Sequence, residues 1–311
     1  MAHSMKQHAA IIDLGTNTFK LLLCEQHEGR LKVIHREEVP VYLGRGGIEQ
    51  GLIAPDAFER GLEALRAFRE TALANGVNRL RGFGTSALRN ARNGVAFVQR
   101  AKEELDIDIR IIAGDEEAGL ILEGVRQAVP LGNKPTLIMD IGGGSTEFIL
   151  ATEKALMWKR SFELGVTRLR ERFPCSDPMT LDEETRIAQH LDSQLEPLYA
   201  VIERHEPHLL IGSAGSFDTL AAMVAADSGT LLADDATTLA FDAHTFGELK
   251  DRLMRMTREE RLAVPGLPEH RVDTINYALV QIERVLLAGG IRDLAWSRYA
   301  LKEGAASQLA V

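Results

Sequence analysis

Two short strings carry the residue types of phosphate and cation chemistry. Ile11-Ile12-Asp13-Leu14-Gly15-Thr16-Asn17-Thr18 aligns with Ile138-Met139-Asp140-Ile141-Gly142-Gly143-Gly144-Ser145, Asp13 on Asp140 and Gly15 on Gly142. Each copy is an apolar run, an Asp, a Gly-rich polar turn and a second apolar run, residues 19–24 in one copy and 148–151 in the other. A glycine turn lets backbone N–H groups approach phosphate oxygens because no Cβ intervenes. Thr16, Asn17 and Thr18 add side-chain donors in the first copy, and Ser145 and Thr146 do so beside Gly142, Gly143 and Gly144 in the second. An Asp at a strand end can hold Mg²⁺, which takes few carboxylates and fills its shell with phosphate oxygens and water. One such turn is an ordinary hairpin. Two with matching carboxylates predict a pair of turns that grip one phosphate group between two domains.

Three further strings could do chemistry. In Gly114-Asp115-Glu116-Glu117-Ala118, Asp115 reads as an N-cap with Glu116 and Glu117 in the first helical turn. Acidic residues are favoured there by the helix dipole, by roughly 0.3–1 kcal/mol, so their placement has a structural explanation. A carboxylate near a domain junction could equally act as a general base toward water. Arg89, in Ser86-Ala87-Leu88-Arg89, could clamp phosphate through its guanidinium fork or lie on the surface. Gly212-Ser213-Ala214-Gly215-Ser216 could be a nucleotide-contacting loop, with Gly212, Ser213, Gly215 and Ser216 as contacts, or a strand-to-helix turn. The histidines form no Ser/His/Asp or metal-binding spacing.

The elements that must position these residues follow from periodicity. After the first hairpin, residues 31–43 read as a third strand. A helix opens at Pro55, with Phe58, Leu62, Leu65, Phe68 and Leu73 at helical spacing. Residues 79–85 and 107–112 read as strands, 95–105 and 115–129 as helices. The second half repeats the opening with strands at 136–140, 147–151 and 155–163. Helices at 182–205 and 273–287, strands at 209–211 and 292–296, and a terminal helix at 297–309 follow. Alternating strands and helices predict an α/β fold with mixed sheets in two domains. The predicted domains are 1–125 and 126–297, with a terminal helix over 298–311 packing back on the first. Pro130, Gly132 and Pro135 place the junction and a hinge near residues 124–133.

Composition limits the function. The net charge of −9 argues against a nucleic-acid binder. It also calls for a metal or a locally positive site if the substrate is a polyanion. The stretch 79–102, with Arg79, Arg81, Arg89, Arg92, Arg100 and Lys102 and no acid among them, could supply that positive site or simply form a solvated face. No apolar run reaches the ~18 residues of a membrane helix. The polar residues 1–8 have no signal-peptide core, and 1–4 read as an expression scar. Two cysteines, Cys24 and Cys175, suit a reducing cytoplasm rather than a disulfide framework.

The motifs together resemble the exopolyphosphatase/guanosine-pentaphosphate phosphohydrolase (Ppx/GppA) family. The resemblance rests on Asp13-Leu-Gly-Thr-Asn-Thr, Thr85-Ser-Ala-Leu-Arg89, Gly114-Asp-Glu-Glu-Ala118, Asp140-Ile-Gly-Gly-Gly-Ser-Thr-Glu147, Leu164-Gly-Val-Thr-Arg-Leu169 and Ser297-Arg-Tyr-Ala-Leu-Lys-Glu-Gly304, in that order over residues 9–305. It implies two ribonuclease-H-like domains of the actin/sugar-kinase/chaperone-ATPase superfamily with an interdomain cleft. It implies Glu117 as the catalytic base, Asp140 and Glu147, with Asp13 nearby, at Mg²⁺ (or Mn²⁺), and Gly143, Gly144, Ser145 and Arg89 on phosphate. The substrate it implies is polyphosphate, or alternatively guanosine pentaphosphate, and it admits a homodimer. Gly119 replaces the family's usual Arg after Glu-Glu-Ala, and Lys302 replaces the Arg of Leu-Arg-Glu-Gly. The chain lacks the helical C-terminal region of long members. Two other readings stay open at this level: an ATP-dependent kinase or ATPase of the same superfamily, and a non-catalytic sensor of guanosine tetra- or pentaphosphate.

Overall fold

The computed structural model describes residues 7–27 and 30–308; the expected scar at 1–4 and the last residues of the expected terminal helix lie outside these. The chain forms two units. The first runs to Gly124 and takes in the segment from Ala300; the second is Val125–Tyr299.

The first unit is built on a five-stranded sheet in the order β3-β2-β1-β4-β5. Strands β1 (Gln7–Leu14), β2 (Thr18–His27) and β3 (Arg30–Pro40) make an antiparallel meander. Strands β4 (Leu80–Gly84) and β5 (Asp108–Ile111) then add in parallel beside β1. Alternation along the strands sends Ile12, Leu14, Leu21 and Leu23 into one core with Leu62, Leu65 and Phe68 of α1 (Pro55–Ala74) and Phe97 and Ala101 of α3 (Gly94–Leu105). Pro55 suits the first position of α1, where its missing N–H costs nothing. A short helix, α2 (Ser86–Asn90), follows β4, and α4 (Gly114–Ala128) follows β5.

The second unit repeats the plan with one added edge strand, in the order β10-β11-β9-β6-β7-β8. Strands β6 (Thr136–Ile141), β7 (Thr146–Ala151) and β8 (Leu156–Phe162) are the second meander. Strands β9 (Leu209–Ser213) and β11 (Asp293–Ser297) are parallel to β6, and β10 (Thr238–Asp242) runs antiparallel at the edge. The helices are α5 (Val166–Arg172), α6 (Leu181–His205), α7 (Ala214–Asp227), α8 (Ala243–Arg255), α9 (Arg258–Leu262) and α10 (Ile275–Gly289). The core gathers Ile187, Leu191, Leu195 and Leu198 of α6 with Phe217, Leu279 and Ile282. Lys250 of α8 is buried and bonds Glu184 of α6 at 2.6 Å and Glu283 of α10 at 2.8 Å, which ties three helices together.

Each unit is therefore a three-strand meander extended by parallel strands, the ribonuclease-H-like arrangement, and the fold is α/β with two mixed sheets. Three expectations change. The third strand stops at Pro40, because residues 41–44 turn back to bond the first acidic turn. Asp115 is not an N-cap: α4 already begins at Gly114, and the Glu117 amide bonds the Ala113 carbonyl at 2.9 Å. The boundary between the units, at Gly124, lies within the expected 124–133 stretch but inside α4, ahead of Pro130 and Gly132. Residue 297 ends β11, and the last helix, α11 (Leu301–Gln308), starts four residues later.

Candidate functional site

The two acidic turns have the same construction. In the first unit the Gly15 amide bonds the Thr18 carbonyl at 3.2 Å, and in the second the Gly142 amide bonds the Ser145 carbonyl at 3.0 Å. A Cβ on Gly15 would lie 2.8 Å from the Thr18 oxygen, so the turn requires glycine there. After the third strand of each meander the chain returns and takes up the turn's carbonyls. Val41 and Tyr42 amides bond the Asn17 oxygen at 2.8 and 2.7 Å, and the Gly44 amide bonds the Thr16 oxygen at 3.1 Å. In the second unit Gly165 bonds Gly144, Val166 bonds Gly142, and Thr167 bonds Gly143, at 3.2, 3.0 and 2.9 Å. Gly165 passes so close that a Cβ would sit 2.4 Å from the Gly143–Gly144 peptide. With the carbonyls claimed, the amides of Thr16, Gly143 and Gly144 have no acceptor among the described residues. Such turns present partial positive charge to an anion.

The turns differ in charge. Cross-strand pairing sets Asp140 opposite Glu147 and Asp13 opposite Lys20. Asp140 and Glu147 are 7% and 1% exposed. Asp140 Oδ2 accepts the Ser213 hydroxyl at 2.7 Å, and Glu147 Oε1 accepts the Ser161 hydroxyl at 2.6 Å. Two buried, hydroxyl-oriented carboxylates form a hard-oxygen donor pair that fits Mg²⁺, which needs one or two carboxylates and takes the rest from phosphate and water. No cluster of three or more His, Cys, Asp or Glu groups able to hold a metal occurs among the described residues. Asp13 is half-buried; burial pushes its carboxyl above the ordinary range, against the pull of Lys302 and Lys20. Both lysines are themselves paired, Lys20 with Glu38 at 3.5 Å and Lys302 with Glu303 at 3.8 Å, so Asp13 sits in a mixed field of charges.

Glu117, 7% exposed, is in the first turn of α4. Its Oε2 accepts Arg89 Nη1 at 2.8 Å, and the same nitrogen donates to the Ile112 carbonyl at 3.1 Å. Glu116 instead points to solvent and pairs with Arg110. The structure thus separates two carboxylates that helix-start chemistry alone leaves equivalent.

One expectation needs correction, and two readings left open take their plainer form. The Thr146 hydroxyl is fully buried and donates to Gln281 at 2.9 Å, while Gln281 donates to the Leu164 carbonyl at 2.8 Å, so Thr146 anchors the turn instead of binding phosphate. The string from Gly212 to Ser216 is not a loop: β9 ends at Ser213 and α7 starts at Ala214. Gly212 makes room for the Phe217 ring and Gly215 for the Arg271 guanidinium, and Ser213 and Ser216 are buried. The basic stretch does not form one positive patch. Arg100 pairs with Glu59 and Glu104, Lys102 with Asp106 and Asp108, and Arg89 with Glu117. Ser161, Gln281, the return segment after β3 and the bond from Ser213 to Asp140 were missed from sequence; the repeated dipeptide Leu43-Gly44 and Leu164-Gly165 was the available signal for the return segments.

Comparison with known proteins gives the same assignment over nearly the whole chain. A family model described as the Ppx/GppA phosphatase family matches residues 22–310. Exopolyphosphatase 2 of Mycobacterium tuberculosis is 30% identical over 317 residues, covering 97% of this chain and 98% of that one. The crystal structure of an exopolyphosphatase from Cytophaga hutchinsonii superposes with a TM-score of 0.95 at 38% identity, covering 97% of both chains. A Ppx/GppA family member from Aquifex aeolicus shares the fold, with a TM-score of 0.81 at 22% identity over 98% of each chain. No helix among the described residues is long and apolar enough to cross a membrane.

Proposed function

Because this chain belongs to the Ppx/GppA phosphatase family, we propose that it is an exopolyphosphatase that hydrolyses the terminal phosphoanhydride of inorganic polyphosphate with Mg²⁺. The relatives named exopolyphosphatase, at 38% and 30% identity over nearly full length, favour polyphosphate as the substrate. The observation that carries the chemistry is Glu117, a buried carboxylate fixed by Arg89 in a unit that also bears a phosphate-type turn.

Phosphoryl transfer to water needs positioning, charge neutralisation and a group that orients the water. The open amides of Thr16 in the first unit, and of Gly143 and Gly144 in the second, are each suited to donate to phosphate oxygens, with Gly15, Gly142, Asn17, Thr18 and Ser145 shaping the two turns. Asp140 and Glu147 would hold Mg²⁺, which supplies neutralisation of charge on the terminal phosphates. Glu117 accepts a proton as the water oxygen bonds to the terminal phosphorus. The bridging P–O bond breaks, and its electron pair leaves on the shortened chain. Net charge and the two unpaired thiols favour a cytoplasmic protein that does not bind nucleic acid.

The test is phosphate release with Mg²⁺ from short and long polyphosphate, guanosine pentaphosphate and ATP. Polyphosphate should be turned over fastest, and chelation with EDTA should stop release until Mg²⁺ is restored. Glu117→Gln should lower kcat by at least about a hundredfold with KM retained. Preferential turnover of guanosine pentaphosphate or ATP would replace the substrate assignment, and a Gln variant with near-normal turnover would remove Glu117 from its role.

A further inference from the structure

The second acidic turn is held from behind by a side chain. We propose that Arg168 is a positioning residue for this turn: it claims the Gly144 carbonyl, and so aims the Ser145 amide, together with those of Gly143 and Gly144, at a phosphate oxygen. The inference rests on the reading of the turn as a phosphate contact.

The argument begins with three successive carbonyls. The Gly142 oxygen accepts the Val166 amide at 3.0 Å, and the Gly143 oxygen accepts the Thr167 and Arg168 amides at 2.9 and 3.3 Å. The Gly144 oxygen accepts the Gly165 amide at 3.2 Å and Arg168 Nε at 3.1 Å. All these donors lie on the return segment and the first residues of α5. In a trans peptide the N–H points opposite to the C=O. Three carbonyls drawn toward α5 therefore turn the next three amides, of Gly143, Gly144 and Ser145, away from it. None of these amides has an acceptor among the described residues, and Gly144 and Ser145 are buried. Buried backbone donors without acceptors are rare in folded proteins. Successive amides facing one way form a concavity suited to an anion.

Backbone donors on the return segment come with its course, whereas Arg168 Nε depends on the choice of side chain. That side chain is 13% exposed, and its Nη2 bonds Glu163 Oε2 at 2.8 Å, directly after β8. The guanidinium thus spans the turn's carbonyl and a carboxylate at the end of the neighbouring strand. Gln281 does the same two residues on, linking the Thr146 hydroxyl to the Leu164 carbonyl. Residues 144 and 146 are both fastened to residues 163 and 164. Arginine suits the task because its planar fork bonds two acceptors at a fixed angle, which a lysine ammonium does not reproduce. The guanidinium lies on the carbonyl side of the turn, so it acts through the Gly144–Ser145 peptide and not on the anion itself.

Two measurements on the parent, Arg168→Gln and Arg168→Lys test this. Inorganic phosphate is titrated in Mg²⁺ buffer into ¹⁵N-labelled protein and followed at the Gly143, Gly144 and Ser145 amides, and steady-state hydrolysis of polyphosphate is measured beside it. In the parent all three amide resonances should shift along one binding curve. In Arg168→Gln the apparent Kd for phosphate should rise at least about fivefold, with the Ser145 shift reduced most, and kcat/KM should fall at least about tenfold. Arg168→Lys, which keeps the charge and gives up the fork, should fall between the two. A folded Arg168→Gln that binds phosphate and turns over polyphosphate like the parent would overturn the proposal, whatever its Tm, and leave Arg168 a stabilising residue only. Should Arg168→Gln fail to fold, parity of Arg168→Lys with the parent in both measurements would overturn it equally. Parent amides that do not respond to phosphate would sink the reading of the turn and the proposal with it, an outcome distinct from an equal response in all three proteins.

Discussion

A single methyl group at Gly304 should separate α11 from α4. A Cβ built on Gly304 would lie 1.8 Å from the Leu120 carbonyl oxygen and 3.0 Å from the Gly124 nitrogen. The contact is reciprocal, for a Cβ on Gly124 would lie 2.0 Å from the Ala300 oxygen. Both neighbours are backbone, so no side chain can swing away, and Gly304→Ala must move one helix by about 1 Å in an interior packed without slack. Overpacking of this kind costs about 1–3 kcal/mol. The shift also strains the 3.0 Å bond from the Ala300 amide to the fully buried Glu303, worth about 1 kcal/mol net. At roughly 3–5 °C per kcal/mol for a unit of this size, Tm should fall by about 6–20 °C. Circular dichroism melting reads this, with Gly247→Ala as control. Gly247 lies inside α8 with nothing within 4 Å of its would-be Cβ, so alanine there should stabilise by about 0.5–1 kcal/mol. If Gly304→Ala melts within about a degree of the parent, the helices are not in backbone contact and the account of how α4 is seated is wrong.

Two further outcomes follow from local chemistry. Helix α6 opens with a reciprocal cap, in which the Glu183 amide bonds the Thr180 hydroxyl at 3.3 Å and the Thr180 amide bonds the Glu183 carboxylate at 2.8 Å. Thr180→Ala should cost ~1 kcal/mol in urea unfolding at an unchanged m-value, and an unshifted midpoint would show the cap contributes nothing. Burial, and secondarily Glu303, pushes the Cys24 thiol up to about 11. Its raised value means the folded state keeps the proton longer than the unfolded chain. The stability this gives is complete below the ordinary thiol range and is lost as pH climbs toward about 11. Native Cys24 should therefore resist iodoacetamide at about pH 8, near the ordinary thiol range, and mass spectrometry showing it alkylated as fast as a free thiol would refute the buried placement.

The meanders were legible because an apolar run, an Asp, a glycine turn and a second apolar run recur twice in the sequence. Helices α1, α3 and α6 were legible from apolar residues at helical spacing. Helix α7 was not, because Phe217, Leu220, Ala221, Met223 and Val224 bury nearly its whole circumference and leave no polar face to reveal a period. Helix α2 was too short to show one. The pairing of Arg89 with Glu117 had no local signal at all. It arises because β4 and β5 are parallel neighbours, so the chain segments that leave them, α2 and the entry to α4, start from the same end of the sheet. That topology sets Glu117 against Arg89 and leaves Glu116 paired with Arg110, a difference that nothing in the acidic string itself encodes.

The duplication explains why the two turns need not do the same work. Their backbones are alike in kind, down to the amide bond across the turn and the returning segment that occupies the carbonyls. What differs is the residue facing the aspartate, Lys20 in the first copy and Glu147 in the second. A second carboxylate opposite Asp140 concentrates negative charge and favours a divalent ion, whereas Lys20, opposite Asp13, is itself paired with Glu38 at 3.5 Å. Under the proposed reading the second copy is the one equipped for a metal, a specialisation made by one cross-strand position on a shared scaffold.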